Sequence, residues 1–155
     1  MANVEHKDLP NAQLHEPKGV SAASANTVYL ANGAGSGTWS SPPYTYPITV
    51  RLTDVSTASS CYVAAPTAGT ITKIYGVLEN AITVADSAIT TYIAATPITN
   101  GNMTAAYTGS AAGTSFSATP TAARTVSAGS VLRVETDGGS TTTGAMVFTF
   151  LITVP

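Results

Sequence analysis

The chain has 155 residues, enough for one domain with a real core, and only 9% are Asp, Glu, Lys or Arg, against about a quarter in most globular chains. The six basic residues (Lys7, Lys18, Arg51, Lys73, Arg124, Arg133) are scattered and the formal net charge is −2, which excludes a phosphate-tracking basic stripe and with it a nucleic-acid partner. A single cysteine, Cys61, excludes an intrachain disulfide and a Cys-based zinc cluster and reads as a small buried hydrophobe, while no apolar run reaches the ~18 residues of a membrane span.

Taken in chain order, residues 1–43 read as an extended N-terminal arm and linker. Its first residues, Met1 to Asp8, lack the apolar stretch of a secretory signal, so the expectation is synthesis and assembly in a host cytoplasm. Glu5, Lys7, Asp8, Glu16, Lys18 and both histidines, His6 and His15, crowd into the first eighteen positions. Pro10, Pro17, Pro42 and Pro43 interrupt the segment, and the run Asn32-Gly33-Ala34-Gly35-Ser36-Gly37 reads as a flexible spacer. Large apolar residues recur at no regular period, which predicts a segment unable to build its own core. Fully extended, about 40 residues reach roughly 130–140 Å. Trp39 stands alone in this spacer and is expected to dock into a partner surface; Val28, Tyr29 and Leu30 are expected to add a strand to a partner's exposed sheet edge.

From residue 44 the grammar becomes period two, the signature of half-buried strands. Ile48, Val50 and Leu52 alternate with Thr49, Arg51 and Thr53. Cys61 to Ala64 leads into the turn Pro66-Thr67-Ala68-Gly69. Alternation through Thr70–Leu78 then sets Thr72, Ile74 and Leu78 on one face and Ile71, Lys73, Tyr75 and Val77 on the other. With apolar residues on both faces, one face is expected to meet a neighbouring subunit. Ile89, Thr91 and Ile93 alternate with Thr90 and Tyr92, and weaker strands are expected at Met103–Tyr107 and Thr114–Ser117. Val131–Thr136 alternates again, and Asp137-Gly138-Gly139-Ser140 reverses the chain into Ala145–Val154, the longest alternation and the expected central strand. No stretch keeps a helical stripe, and β-branched residues dominate. The expectation is an all-β domain over 44–155, a β-sandwich of seven or eight strands and of jelly-roll type.

The arm segment Leu14-His15-Glu16-Pro17-Lys18-Gly19-Val20, followed by Val28-Tyr29-Leu30-Ala31-Asn32-Gly33-Ala34-Gly35-Ser36-Gly37-Thr38-Trp39, resembles an N-terminal segment of structural proteins of tailed bacteriophages, the head fibre and capsid decoration proteins. Pro66-Thr67-Ala68-Gly69-Thr70-Ile71, Ala128-Gly129-Ser130-Val131 and Glu135-Thr136-Asp137-Gly138-Gly139 are similar to the turns of their β modules. The resemblance implies a homotrimeric module on the outer capsid surface, seated between major capsid proteins, with the arm as its anchor. Some tail fibre proteins carry similar segments, which keeps a tail position open.

Catalytic chemistry finds few instruments. A serine nucleophile needs a base, and both histidines lie in the arm. Asp54, Glu79, Asp86, Glu135 and Asp137 fall at or near turns and read as hydrogen-bond acceptors rather than paired acid and base. His6, Asp8, His15 and Glu16 match no standard metal spacing, and the glycine run lacks the Lys-Ser/Thr ending of a phosphate loop. No enzyme activity, cofactor or metal is therefore expected. A surface with so little like-charge repulsion suits packing against copies of itself. Tyrosines 29, 44, 46, 62, 75, 92 and 107 outnumber what a core needs, and so support a second reading, a receptor- or glycan-binding module at the tail or shell.

Overall fold

A computed structural model describes residues 23–25, 27–34, 37–42 and 44–154. The chain divides into two units, residues 1–43 with Pro155 and the body Tyr44–Val154. In the first unit, β1 (Val28–Ala31) and β2 (Gly37–Ser40) pair antiparallel, Tyr29 opposite Trp39. The segment read as an extended spacer thus carries a paired ribbon, though no residue of either strand is buried. Just after β1, Asn32 Oδ1 accepts a hydrogen bond from the Ala34 N–H at 2.9 Å, the local turn an Asn favours.

The body contains β3 (Tyr44–Leu52), β4 (Ser59–Ala64), β5 (Gly69–Leu78), β6 (Ser87–Ile93), β7 (Thr96–Pro97), β8 (Met103–Ala105), β9 (Ser115–Ala118), β10 (Thr125–Val126), β11 (Val131–Thr136) and β12 (Met146–Val154). One sheet runs β3-β12-β5, and the free edge of β5 is shared by β9 at Ile74–Val77 and β10 at Gly69–Thr70. The other runs β4-β11-β6, and the free edge of β6 is shared by β8 and β7. With β7–β8 and β9–β10 each counted as one interrupted strand, eight positions result, in sheets ordered 1-8-3-6 and 2-7-4-5. That is the jelly-roll order, an all-β sandwich in which every strand meets its neighbours antiparallel.

The core lies between the sheets, and alternation explains most of it. Met146, Phe148, Phe150 and Ile152 of β12 are fully buried, and they pack with Ile48 and Leu52 of β3 and Leu132 and Val134 of β11. Strand β5 departs from simple alternation. Its register against β12 shifts between Lys73 opposite Leu151 and Ile71 opposite Ile152, so Thr72 is an extra, bulged residue. The bulge resets the parity. Ile71 turns inward with Ile74, Gly76 and Leu78, not outward as strict alternation predicts, and Tyr75 and Val77 are left as the exposed apolar residues of the outer face.

The loops β3–β4, β5–β6, β8–β9 and β11–β12 are tied together. Val55 N–H donates to Gly144 O at 2.8 Å, and Thr141 N–H to Thr83 O at 3.3 Å. Ser110 Oγ accepts from Ile82 N–H and donates to Ile82 O, both at 3.0 Å. Ser87 and Thr136 hydroxyls, both buried, share Val55 O as an acceptor. These bonds satisfy backbone groups that a buried loop would otherwise leave unpaired.

Candidate functional site

The residues expected to anchor the chain divide in two. Leu14, His15, Glu16, Pro17, Lys18, Gly19 and Val20 lie outside the described residues, as do His6 and Asp8. Val28, Tyr29, Leu30 and Trp39 are all on the hairpin. Trp39 does not stand alone: its ring meets Tyr29 edge-on, with centroids 5.5 Å apart and planes at 63°. Their direct cross-strand pairing places both rings on one hairpin face, and Val28 and Leu30, both exposed, on the other. Val28–Leu30 is paired on one edge with β2, so a strand added to a partner's sheet would use its other edge. What the unit presents is a two-faced ribbon, aromatic on one side and aliphatic on the other.

In the body, each carboxylate has a structural partner. Asp54 Oδ1 accepts from Ser56 N–H at 2.9 Å, Ser56 Oγ at 2.7 Å and Gly144 N–H at 3.3 Å. The Ser56 hydroxyl, then its N–H, hold the Asp54 carboxyl below the usual aspartate range. Asp86 accepts from Tyr107 N–H, and Asp137 from the N–H groups of Ala88 and Gly139. Glu79 receives a bidentate pair from Arg51, Nε at 2.6 Å and Nη2 at 2.7 Å, and this bond lowers the Glu79 carboxyl. Glu135 pairs with Arg133 at 2.8 Å. Among the described residues no group of three His, Cys, Asp or Glu is placed to hold a metal. Cys61 is half-buried, packs against the core, and has its thiol pushed up by burial. No helix among the described residues is long and apolar enough to cross a membrane.

Three body surfaces carry rings or strain. On the outer face of the sheet β4-β11-β6, register places Tyr62, Arg133 and Tyr92 in one row across the strands. The Arg133 guanidinium lies 3.8 Å over the Tyr92 ring, and Tyr62 is 60% exposed. At the start of β3, Tyr44 and Tyr46 pack edge-on at 5.1 Å. At the loop end, Val84 sits at φ 76° between Thr83 O and the Ala85 N–H that bonds it at 3.0 Å, a γ-turn of the strained hand, and its side chain is 69% exposed. A hollow of about 240 Å³ lined by Ile93, Thr96, Ala123, Arg124 and Thr125 holds one charge, and Arg124 Nη1 there already donates to Pro120 O.

The row Tyr62-Arg133-Tyr92 was not visible in the sequence, because its members come from three strands whose pairing is long-range. The hairpin left a trace: Asn32-Gly33 is a turn dipeptide, and Tyr29 and Trp39 flank it. The chain matches no protein-family model and no curated protein sequence.

Proposed function

We propose that the chain is a non-enzymatic structural protein of a virus particle, a capsid decoration or head fibre protein that binds the assembled shell. The observation that carries this reading is the hairpin. A two-stranded ribbon is marginal in water, and this one exposes Val28 and Leu30 on one face opposite the Tyr29–Trp39 pair, a form suited to burial against a partner. The jelly-roll body supports it with outer faces that carry few charges, two of them closed as Arg51–Glu79 and two as Arg133–Glu135. The partners are the major capsid protein and two further copies of the chain, at the outer surface of the particle. The arm anchors and the body bridges. A ligand that binds only the assembled lattice stabilises it in proportion to RT ln(1 + [L]/Kd), and a trimer raises the effect through effective concentration.

The test uses shells stripped of this protein. Full-length chain should co-sediment with them and raise their heat resistance, whereas chain lacking residues 1–43 should stay folded and remain in the supernatant. Full attachment of the truncated chain would overturn the anchor, and equal heat resistance of bare and decorated shells would overturn the stabilising role. Attachment to purified tails in place of shells would move the protein to the tail.

A further inference from the structure

We propose that the outer face of the sheet β4-β11-β6 is a carbohydrate-binding platform for neutral hexopyranose chains, with Tyr62 as the stacking ring and the Arg133–Glu135 pair as the hydrogen-bonding fork. This goes beyond shell attachment and uses a different unit of the chain.

Exposure and surroundings single out Tyr62. It is the most exposed aromatic ring of the body, at 60%. On its own strand the residues sharing its face are Ser60 and Ala64, both small, so nothing on β4 shields the ring. Across the sheet its neighbour is Arg133, whose other cross-strand neighbour is Tyr92. The guanidinium has chosen Tyr92, stacking at 3.8 Å, and the Tyr62 face is left open. Tyr107, 43% exposed, lies beyond the end of β8 and outside the sheet face, and the exposed tyrosines on strands of the body differ from Tyr62. Tyr44 and Tyr46 occupy each other, and Tyr75 has the Lys73 ammonium 5.9 Å from its centroid.

The chemistry beside the ring then selects the ligand. Arg133 is held from two sides, by the Tyr92 ring and by Glu135 at 2.8 Å, so its planar fork is already ordered and loses little freedom on binding. Because the ion pair is closed, the row offers neither an uncompensated positive charge for a phosphate or sulfate nor a free carboxylate for a cation. What remains is a donor and an acceptor side by side next to an apolar ring. A pyranose has the complementary form: vicinal hydroxyls that both donate and accept, and a C–H face that lies on an aromatic ring. Ser60 and Thr90, cross-strand neighbours of Glu135, add hydroxyls at the margin. One further sign points to use rather than stability. Arg133 Nε is buried without any hydrogen-bond partner, a desolvation penalty that an apolar residue at this position would avoid.

The experiment is an amide-resolved NMR titration of the full chain with maltohexaose, a mannose hexasaccharide and chitotetraose as neutral probes and a heparin hexasaccharide as the charged one. At least one neutral probe should shift Tyr62, Tyr92, Arg133 and Glu135 together, with a millimolar Kd. Tyr62→Ala, at an exposed position, should weaken that probe at least about tenfold, while Tyr75→Ala leaves it unchanged. Arg133→Met should weaken it similarly while the thermal midpoint is kept or raised, which separates lost recognition from lost folding. The proposal is overturned by silence of every neutral probe up to about 20 mM, by binding that survives Tyr62→Ala, or by response to heparin alone. The same amides shifting with protein concentration in the absence of sugar would also overturn it, and would assign the face to a second copy of the chain.

Discussion

Two glycines with nearly the same backbone separate conformational strain from crowding. Gly138, in the β11–β12 loop, has φ 74°, and Gly129, in the β10–β11 turn, has φ 82°. A side chain at either meets the left-handed penalty, about 1 kcal/mol for alanine. Around Gly129 there is otherwise open space. At Gly138 a Cβ would fall on the Ala58 backbone nitrogen and lie 2.9 Å from the Thr57 carbonyl carbon and 3.1 Å from its Cα. That backbone cannot retreat easily: Asp54 grips Ser56 and Thr57, and Asp137 grips Ala88 and Gly139. Overpacking against a pinned backbone adds about 2 kcal/mol, for a total near 3. At about 3–6 °C per kcal/mol for a body of this size, Gly129→Ala should lower the melting midpoint by about 3–6 °C and Gly138→Ala by about 9–18 °C. Calorimetry or circular-dichroism melts of the two variants decide it. Equal shifts would refute the close approach of the two loops and leave only backbone strain.

Two other perturbations address the body. Asp54 has a folded-state pKa depressed below its ordinary 3.8, so its stabilisation is present above that value and is lost as pH falls through the lower, folded one. Asp54→Asn should therefore reduce stability at neutral pH and flatten the acid limb of a stability-versus-pH curve below about pH 4; an acid limb identical to the parent's would refute the assignment. The bulge in β5 makes a second pair. Ile71→Ala should cost about 3 kcal/mol in urea unfolding, whereas Thr72→Ala, losing only hydroxyl contacts at 3.2 and 3.3 Å, should cost about 1 or less. The reverse order would mean that β5 alternates without interruption.

That pair also shows where reading the sequence stops. β12 was legible because nine residues alternate without a break and both of its edges are paired, so one face must be buried throughout. β5 carries just as clear an apolar pattern, but one extra residue inverts the parity of everything before it, and nothing local in Thr70-Ile71-Thr72-Lys73 marks which residue is extra. β7 and β10 have two residues each, too few to show any period. β1 and β2 are four residues apiece around a glycine run, and Gly33, which read as spacer, follows β1 at φ 76°, a turn conformation. The platform row was less legible still, since Tyr62, Tyr92 and Arg133 become neighbours only through the register of three strands.

The distribution of polar groups explains what is left for partners. On the outer face of the sheet β3-β12-β5, threonine hydroxyls pair with each other: Thr45 with Thr153 at 3.4 Å, Thr49 with Thr149 at 3.3 Å, and Thr72 with Thr153 at 3.2 Å. Asp54, Asp86 and Asp137 hold loop N–H groups, and Glu79 and Glu135 hold arginines. The body thus satisfies much of its polar surface internally. A surface of this kind gains nothing from long-range steering and relies on contact. Among the described residues the exposed large apolar groups are Val28 and Leu30 on the hairpin, Tyr62 and Val131 on one sheet, Tyr44, Tyr46, Tyr75 and Val77 on the other, and Val84 and Tyr107 at the loop end. A body on which Arg51–Glu79 and Arg133–Glu135 are closed as ion pairs while the Tyr62 ring stands exposed agrees with the two proposed partners, an assembled shell and a neutral glycan chain.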